Sequence, residues 1–202
     1  GLWAFILRNS YRPALVAGRF NGLIANPPWL ALSKIGDNPY GSVLRSLANG
    51  LKLKPPGAAH LHTELSTTFL YASVDRYLQP NAVVACILPD AVLNGFQHRP
   101  FREGAPATSR RPVRFRPNLI WRIPRHTFKN EAIVVFGTKA AATGAASIPG
   151  QIVSCDDAME INFSVIRRGD RLVWSDTDTG SYGTDFLNAG EFRQGADLMP
   201  RT

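Results

Sequence analysis

A chain of 202 residues, 45% of them apolar, can bury a sizeable core and fits one domain with an attached segment. No run approaches the roughly 20 apolar residues that span a bilayer, and the opening run 2–7 is too short for a signal peptide. The net charge of +8 divides into about +12 over residues 1–150, where 18 Lys/Arg face 6 Asp/Glu, and about −4 over 151–202, where 5 face 9, so a basic body suited to a polyanion carries an acidic end.

The first strand is Phe20–Ala25, which runs directly into Asn26-Pro27-Pro28-Trp29. Proline donates nothing to a sheet ladder, so the strand stops there. A long Gly- and Pro-containing loop follows, with one helix over 42–51, and loops of that length are commonly functional. Within it, His60 and His62 would share a strand face, but no third or fourth ligand stands nearby, so no metal site is read.

Over 64–78, Leu65, Phe69 and Ala72, and Leu70, Val74 and Tyr77, recur at helical spacing until Gln79-Pro80-Asn81 breaks the pattern. Residues 82–88 are apolar throughout and bounded by Pro80 and Pro89, as in a strand covered on both faces. Strand, helix and buried strand make a parallel crossover unit, which strands over 119–123 and 132–136 extend to a sheet of about four. The small residues of 140–150 mark a linker. Beyond them, strands over 161–166 and 171–174 flank Arg168-Gly169-Asp170 and read as a hairpin of a separate β-rich unit. Cys86 and Cys155 have no Cys-x-x-Cys partner, which excludes a disulfide framework or thiolate metal site and leaves a reducing, cytoplasmic setting as the default.

Ligands of open α/β sheets bind beyond the carboxyl ends of strands, where the Asn26-Pro27-Pro28-Trp29 tetrad sits. At this point the sequence resembles the adenine-N6 DNA methyltransferases of the large restriction-modification and phage-defence type, whose motif is Asn-Pro-Pro-aromatic. The likeness covers most of residues 10–137, including Arg19-Phe20-Asn21-Gly22-Leu23-Ile24-Ala25, the Tyr77-Leu78-Gln79-Pro80-Asn81 turn, the Ile87-Leu88-Pro89 strand end and the segment 128–137. It implies an α/β chain forming the second half of a Rossmann-like S-adenosylmethionine-dependent methyltransferase fold over 1–139, then the linker, then the start of a β-rich segment over 151–202. The end of the chain loosely resembles the opening of a target-recognition region.

The resemblance assigns catalysis and substrate binding to Asn26, Pro27, Pro28 and Trp29. An exocyclic adenine amine is a poor nucleophile because its lone pair is delocalised into the ring. The Asn26 side-chain oxygen and the Pro27 carbonyl are two acceptors for its N–H bonds, and both would stabilise the positive charge that develops on nitrogen. Proline holds the carbonyls in place and brings no competing N–H. The target adenine must leave the duplex, and Trp29 offers the aromatic face for it.

Between Arg99 and Arg125 stand eight arginines and one acid, Glu103. A DNA groove and a solvated loop are both open readings of this segment; in the first, Arg110, Arg111 and Arg114 contact phosphates of double-stranded DNA. The family binds S-adenosylmethionine through a glycine-containing loop after the first strand of its sheet, and no such strand and loop fit before Arg19. The expectation is therefore a fragment or split subunit, inactive alone, whose partners are the missing N-terminal half of the methyltransferase domain and a C-terminal target-recognition domain. Three other readings stand beside it: a methyltransferase acting on RNA or on a protein amide nitrogen, a non-catalytic DNA-binding subunit, and a structural fragment.

Overall fold

The computed structural model describes residues 1–36, 38–55, 62–104, 114–123, 128, 130–141, 146–153, 157–168 and 171–176. Its elements in chain order are helix α1 (Leu2–Leu15), strand β1 (Phe20–Ala25), helices α2 (Gly41–Gly50) and α3 (Leu65–Tyr77), strand β2 (Leu78–Pro89), the short helix α4 (Arg99–Arg102), and strands β3 (Arg116–Ile123), β4 (Ala132–Thr138), β5 (Ser147–Val153), β6 (Ala158–Arg168) and β7 (Arg171–Ser175). The strands form one mixed sheet in the order β1-β2-β4-β3-β5-β6-β7.

β1 and β2 pair in parallel, from Gly22 opposite Val83 to Ala25 opposite Cys86, and α3 packs against both. This is the crossover unit that the alternation of elements predicts. The Pro80-Asn81 turn lies within β2, where it shifts the register, Phe20 pairing with Leu78 and Gly22 with Val83. Asn81 takes a left-handed φ of 63°, which asparagine tolerates better than most side chains. β4 then enters antiparallel to both of its neighbours, β2 and β3. Lys139, just past β4, reaches back to donate from Nζ to the carbonyls of Asp75 and Leu78 at 3.0 and 2.7 Å. A cation thus satisfies the acceptor end of α3.

The sheet has seven strands rather than about four, because β5, β6 and β7 continue it instead of starting a separate layer. β5 begins at Ser147, inside the stretch read as a linker, and pairs in parallel with β3 through Ile120 and Gly150. The β6–β7 hairpin forms where the sequence places it. Its Phe163 and Trp174, with Ile148 of β5, belong to the same buried cluster as Val84, Leu88, Ile120 and Val135. Gly150 makes this possible, since a Cβ there would stand 2.4 Å from the Phe163 ring and 2.8 Å from the Ile120 carbonyl oxygen. A linker of small residues and a strand needing a glycine look alike in sequence.

Among the described residues, the β1 edge of the sheet is open. β1 is the edge strand, and its Ile24 is 91% exposed. α1 buries none of its residues and presents Leu2, Trp3, Phe5, Leu7, Tyr11 and Leu15 to solvent. Among the described residues, no helix is long and apolar enough to cross a membrane.

Candidate functional site

The Asn26-Pro27-Pro28-Trp29 tetrad leaves the carboxyl end of β1, directly after the Ala25–Cys86 pairing. Asn26 is exposed, Pro27 is buried, Pro28 is exposed and Trp29 is half-buried. An anchored proline therefore separates an accessible asparagine from a ring set into the protein. The chain that follows is pinned to the start of α3: Leu65 N–H donates to the Leu30 carbonyl at 2.9 Å, Leu32 N–H donates to the Thr63 carbonyl at 2.8 Å, and Ala31 bridges Glu64. Thus the tetrad is fixed at both ends, by the sheet before it and by α3 after it.

The Trp29 ring meets Phe128, their centroids 6.2 Å apart and their planes at 49°. Phe128 lies 99 residues along the chain, which is why sequence reading did not couple the two. Trp29 Nε1 is buried without a hydrogen-bond partner among the described residues. Below the loop, His98 is 1% exposed and its Nε2 sits 3.4 Å from Glu64 Oε2. That contact lacks hydrogen-bond geometry, and we read it as electrostatic proximity only.

At the end of β2, Asp90 N–H donates to the Glu131 carbonyl at 3.1 Å, and its carboxylate forms an ion pair with Arg122 Nε at 3.2 Å. Burial pushes the Asp90 carboxyl above the usual range, and the Arg122 guanidinium opposes that shift. Arg122 also grips Asp176, just past β7. Cys86 of β2 is buried, and burial pushes its thiol up to about 12, so it is an inert apolar side chain.

The basic segment divides on inspection. Arg102 is buried and donates to three backbone carbonyls, Arg122 holds two aspartates, and Arg99 pairs with Glu103 at 2.9 Å. These three are structural, a role the sequence pattern could not separate from DNA contact. Arg114 and Arg116 are exposed, whereas Arg110, Arg111 and Arg125 lie outside the described residues, as does His60. His62 is exposed. Among the described residues no group of three or more His, Cys, Asp or Glu side chains is placed to hold a metal.

No protein-family model and no curated protein matches the sequence. Among solved structures, the chain is similar to one in a DrdV–DNA complex, with a TM-score of 0.51 at 13% identity over 80% of this chain and 18% of that one. It is likewise similar to the ATP-dependent Type ISP restriction-modification enzyme LlaBIII bound to DNA, with a TM-score of 0.51 at 9% identity over 86% of this chain and 14% of that one. A third likeness is to a Listeria monocytogenes protein provisionally assigned as a class I S-adenosylmethionine-dependent methyltransferase, with a TM-score of 0.46 at 13% identity over 69% of this chain and 39% of that one. The chain therefore spans less than a fifth of the length of the first two, and shares its mixed α/β fold with a segment of a restriction-modification enzyme.

Proposed function

We propose that this chain is the base-activating half of a DNA methyltransferase of the restriction-modification or phage-defence type, which transfers a methyl group to adenine N6. One observation carries the reading: the Asn26-Pro27-Pro28-Trp29 tetrad stands at the carboxyl end of a parallel strand, held at both ends, with an accessible amide and a second aromatic ring against its tryptophan. An extruded adenine stacks on Trp29, and Phe128 closes the pocket behind it. Asn26 Oδ1 and the Pro27 carbonyl accept the two amine protons, localise the lone pair and stabilise the charge that develops on nitrogen. Arg110, Arg111 and Arg114 are proposed phosphate contacts on the same duplex.

In such a reaction S-adenosylmethionine supplies the electrophilic methyl group. Among the described residues the outer edge of β1 is unpaired and its Ile24 is 91% exposed, so we propose that the cofactor site is shared with residues that complete the sheet. The cofactor-binding residues belong to the half that completes the sheet, pairing with the free edge of β1 and covering α1. A C-terminal target-recognition domain supplies the choice of DNA sequence. The test is Asn26→Ala in the completed enzyme, where methyl transfer should fall at least about 10²-fold, as on removal of one oxyanion-hole donor, while duplex binding stays unchanged. Turnover near that of the wild type would remove Asn26 from the mechanism and the reading with it.

A further inference from the structure

Two neighbouring cavities on the α2 side of the molecule share the lining residues Asn49 and Lys54. The first, of about 160 Å³, is lined by Ser33, Arg45, Asn49, Lys54 and Thr63 over an apolar floor of Leu32 and Ala48. The second, of about 530 Å³, takes up Asn49 and Lys54 again and adds Lys52, Arg99 and Glu103. Arg45, Lys52 and Lys54 are exposed, and none of them has an ion-pair partner among the described residues. Glu103, the one acid of the depression among the described residues, is already held by Arg99 at 2.9 Å and by Arg167 at 3.3 Å. Among the described residues, the groove is thus lined at Arg45, Lys52 and Lys54 by positive charge that has no acidic partner.

Its cations are placed by the backbone. Arg45 lays its guanidinium over Gly41, where a Cβ would stand 3.2 Å from Nη2, so the absence of a side chain at 41 gives the head group its seat. Lys52 adopts a left-handed φ of 58°, a conformation that glycine or asparagine takes more readily. It is held there by Lys52 N–H donating to the Asn49 carbonyl and Leu53 N–H donating to the Ala48 carbonyl, each at 3.0 Å. Leu53 is buried at 3% exposure, so Lys52 and Lys54 flank an anchored residue and both stand free. A strained position that keeps a long cation instead of glycine points to use of that cation.

The groove also lies within reach of the base pocket. Leu32 and Ser33 form one end of it, three and four residues after Trp29. At no more than about 3.6 Å per residue, the Leu32 backbone is within roughly 11 Å of Trp29. A nucleic-acid strand advances about 3.4 Å per nucleotide along a duplex, so phosphates about three nucleotides from an extruded base are within reach of this end of the groove. The geometry points to a phosphate-binding groove on α2, in which Arg45, Lys52 and Lys54 grip the DNA backbone beside the base held at Trp29. This rests on the base-binding reading of the tetrad for its position, but not for its charge.

Binding of a fluorescein-labelled 20-base-pair duplex to the full chain, followed by anisotropy between 50 and 200 mM salt, tests the groove directly. Exchanging Arg45, Lys52 and Lys54 together for glutamine should weaken binding alike on unrelated sequences, and should flatten the slope of log K against log salt by about 2.7, at about 0.9 per contact. Lys52→Gly relieves the left-handed backbone and so does not threaten folding; it should flatten the slope by about 0.9. An unchanged slope in both variants overturns the groove, and so does tighter binding of an RNA duplex of the same length and sequence. If the slopes flatten as expected while Asn26→Ala leaves methyl transfer intact in the completed enzyme, the groove stands as a DNA site and the methylation reading alone falls.

Discussion

Replacing Arg102 by Met tests whether β5–β7 and the loop after β2 are one mechanical unit. Arg102 is 8% exposed; its Nε donates to the Leu172 carbonyl at 2.6 Å, Nη1 to the Val92 carbonyl at 2.7 Å and Nη2 to the Gly95 carbonyl at 2.9 Å. The guanidinium therefore ties α4 to β7 and to the turn that follows β2. Hydrogen bonds from a charged donor contribute about 1.5–3 kcal/mol each, so three give roughly 4.5–9 kcal/mol. Against this, burial lowers the Arg102 pKa from 12.5 to about 10, and relieving that unfavourable burial offsets about 3 kcal/mol at ~1.4 kcal/mol per pKa unit. Methionine preserves much of the packing, so the net loss should be about 4 kcal/mol, or a fall of roughly 8–16 °C in Tm for a chain of this size. Urea unfolding at pH 7 measures it, and Arg102→Lys, which keeps the charge but cannot span three acceptors, should fall between. A loss below about 1 kcal/mol for Arg102→Met would mean that water replaces the guanidinium at all three carbonyls, and the claim that this side chain clamps the sheet would be refuted.

Trp29→Ala should weaken stacking of the extruded base by about 1–3 kcal/mol, read as reduced quenching of a 2-aminopurine placed at the target position, while Trp29→Phe should retain most of it; equal quenching in all three proteins would separate Trp29 from the base. If the cofactor site is shared with a completing half, as proposed, calorimetry of the isolated chain with S-adenosylmethionine should show no micromolar binding; such binding would show that the chain carries a cofactor site of its own. Asp90 gives a pH signature. Its carboxyl is raised in the folded state, so the folded protein binds that proton more tightly than the unfolded chain. Stability should therefore fall as pH rises from the unfolded value near 3.9 through the raised folded value, and Asp90→Asn should lose that slope in thermal melts between pH 4 and 7.

Much of the sheet was legible because its residues obey local rules. β1 ends just before Asn26-Pro27, β2 is apolar from Ala82 to Leu88, and Arg168-Gly169-Asp170 divides two strand-forming runs. What escaped depends on partners distant in sequence. The opening apolar run belongs to a helix, α1, but it contains Pro13 and its apolar residues are exposed, so among the described residues no core contact explains it. β5 hides behind Pro149 and Gly150, since the glycine that reads as a break is the one Phe163 requires. In the site, the tetrad is local and carries its chemistry in its own residue types. Phe128, the buried role of Arg102 and the double grip of Arg122 are properties of tertiary placement, and a run of arginines reads the same whether its members face phosphate or carbonyl oxygen.

The place of β4 in the sheet dictates an order of assembly. β4 hydrogen-bonds to β2 on one side and to β3 on the other, yet it follows both in the chain. During synthesis β2 can pair with β1 as soon as it emerges, but its other edge waits for the roughly fifty residues that end at Thr138. At about 5–20 residues per second that interval lasts roughly 2–10 s. For those seconds Val84, Cys86 and Leu88 lie on a strand with one edge unpaired, β3 has no partner to dock upon, and β5–β7, which hang from β3, have no foundation. The nascent chain therefore passes through a period in which an apolar strand is available to other chains, and β4 is the strand whose arrival ends it.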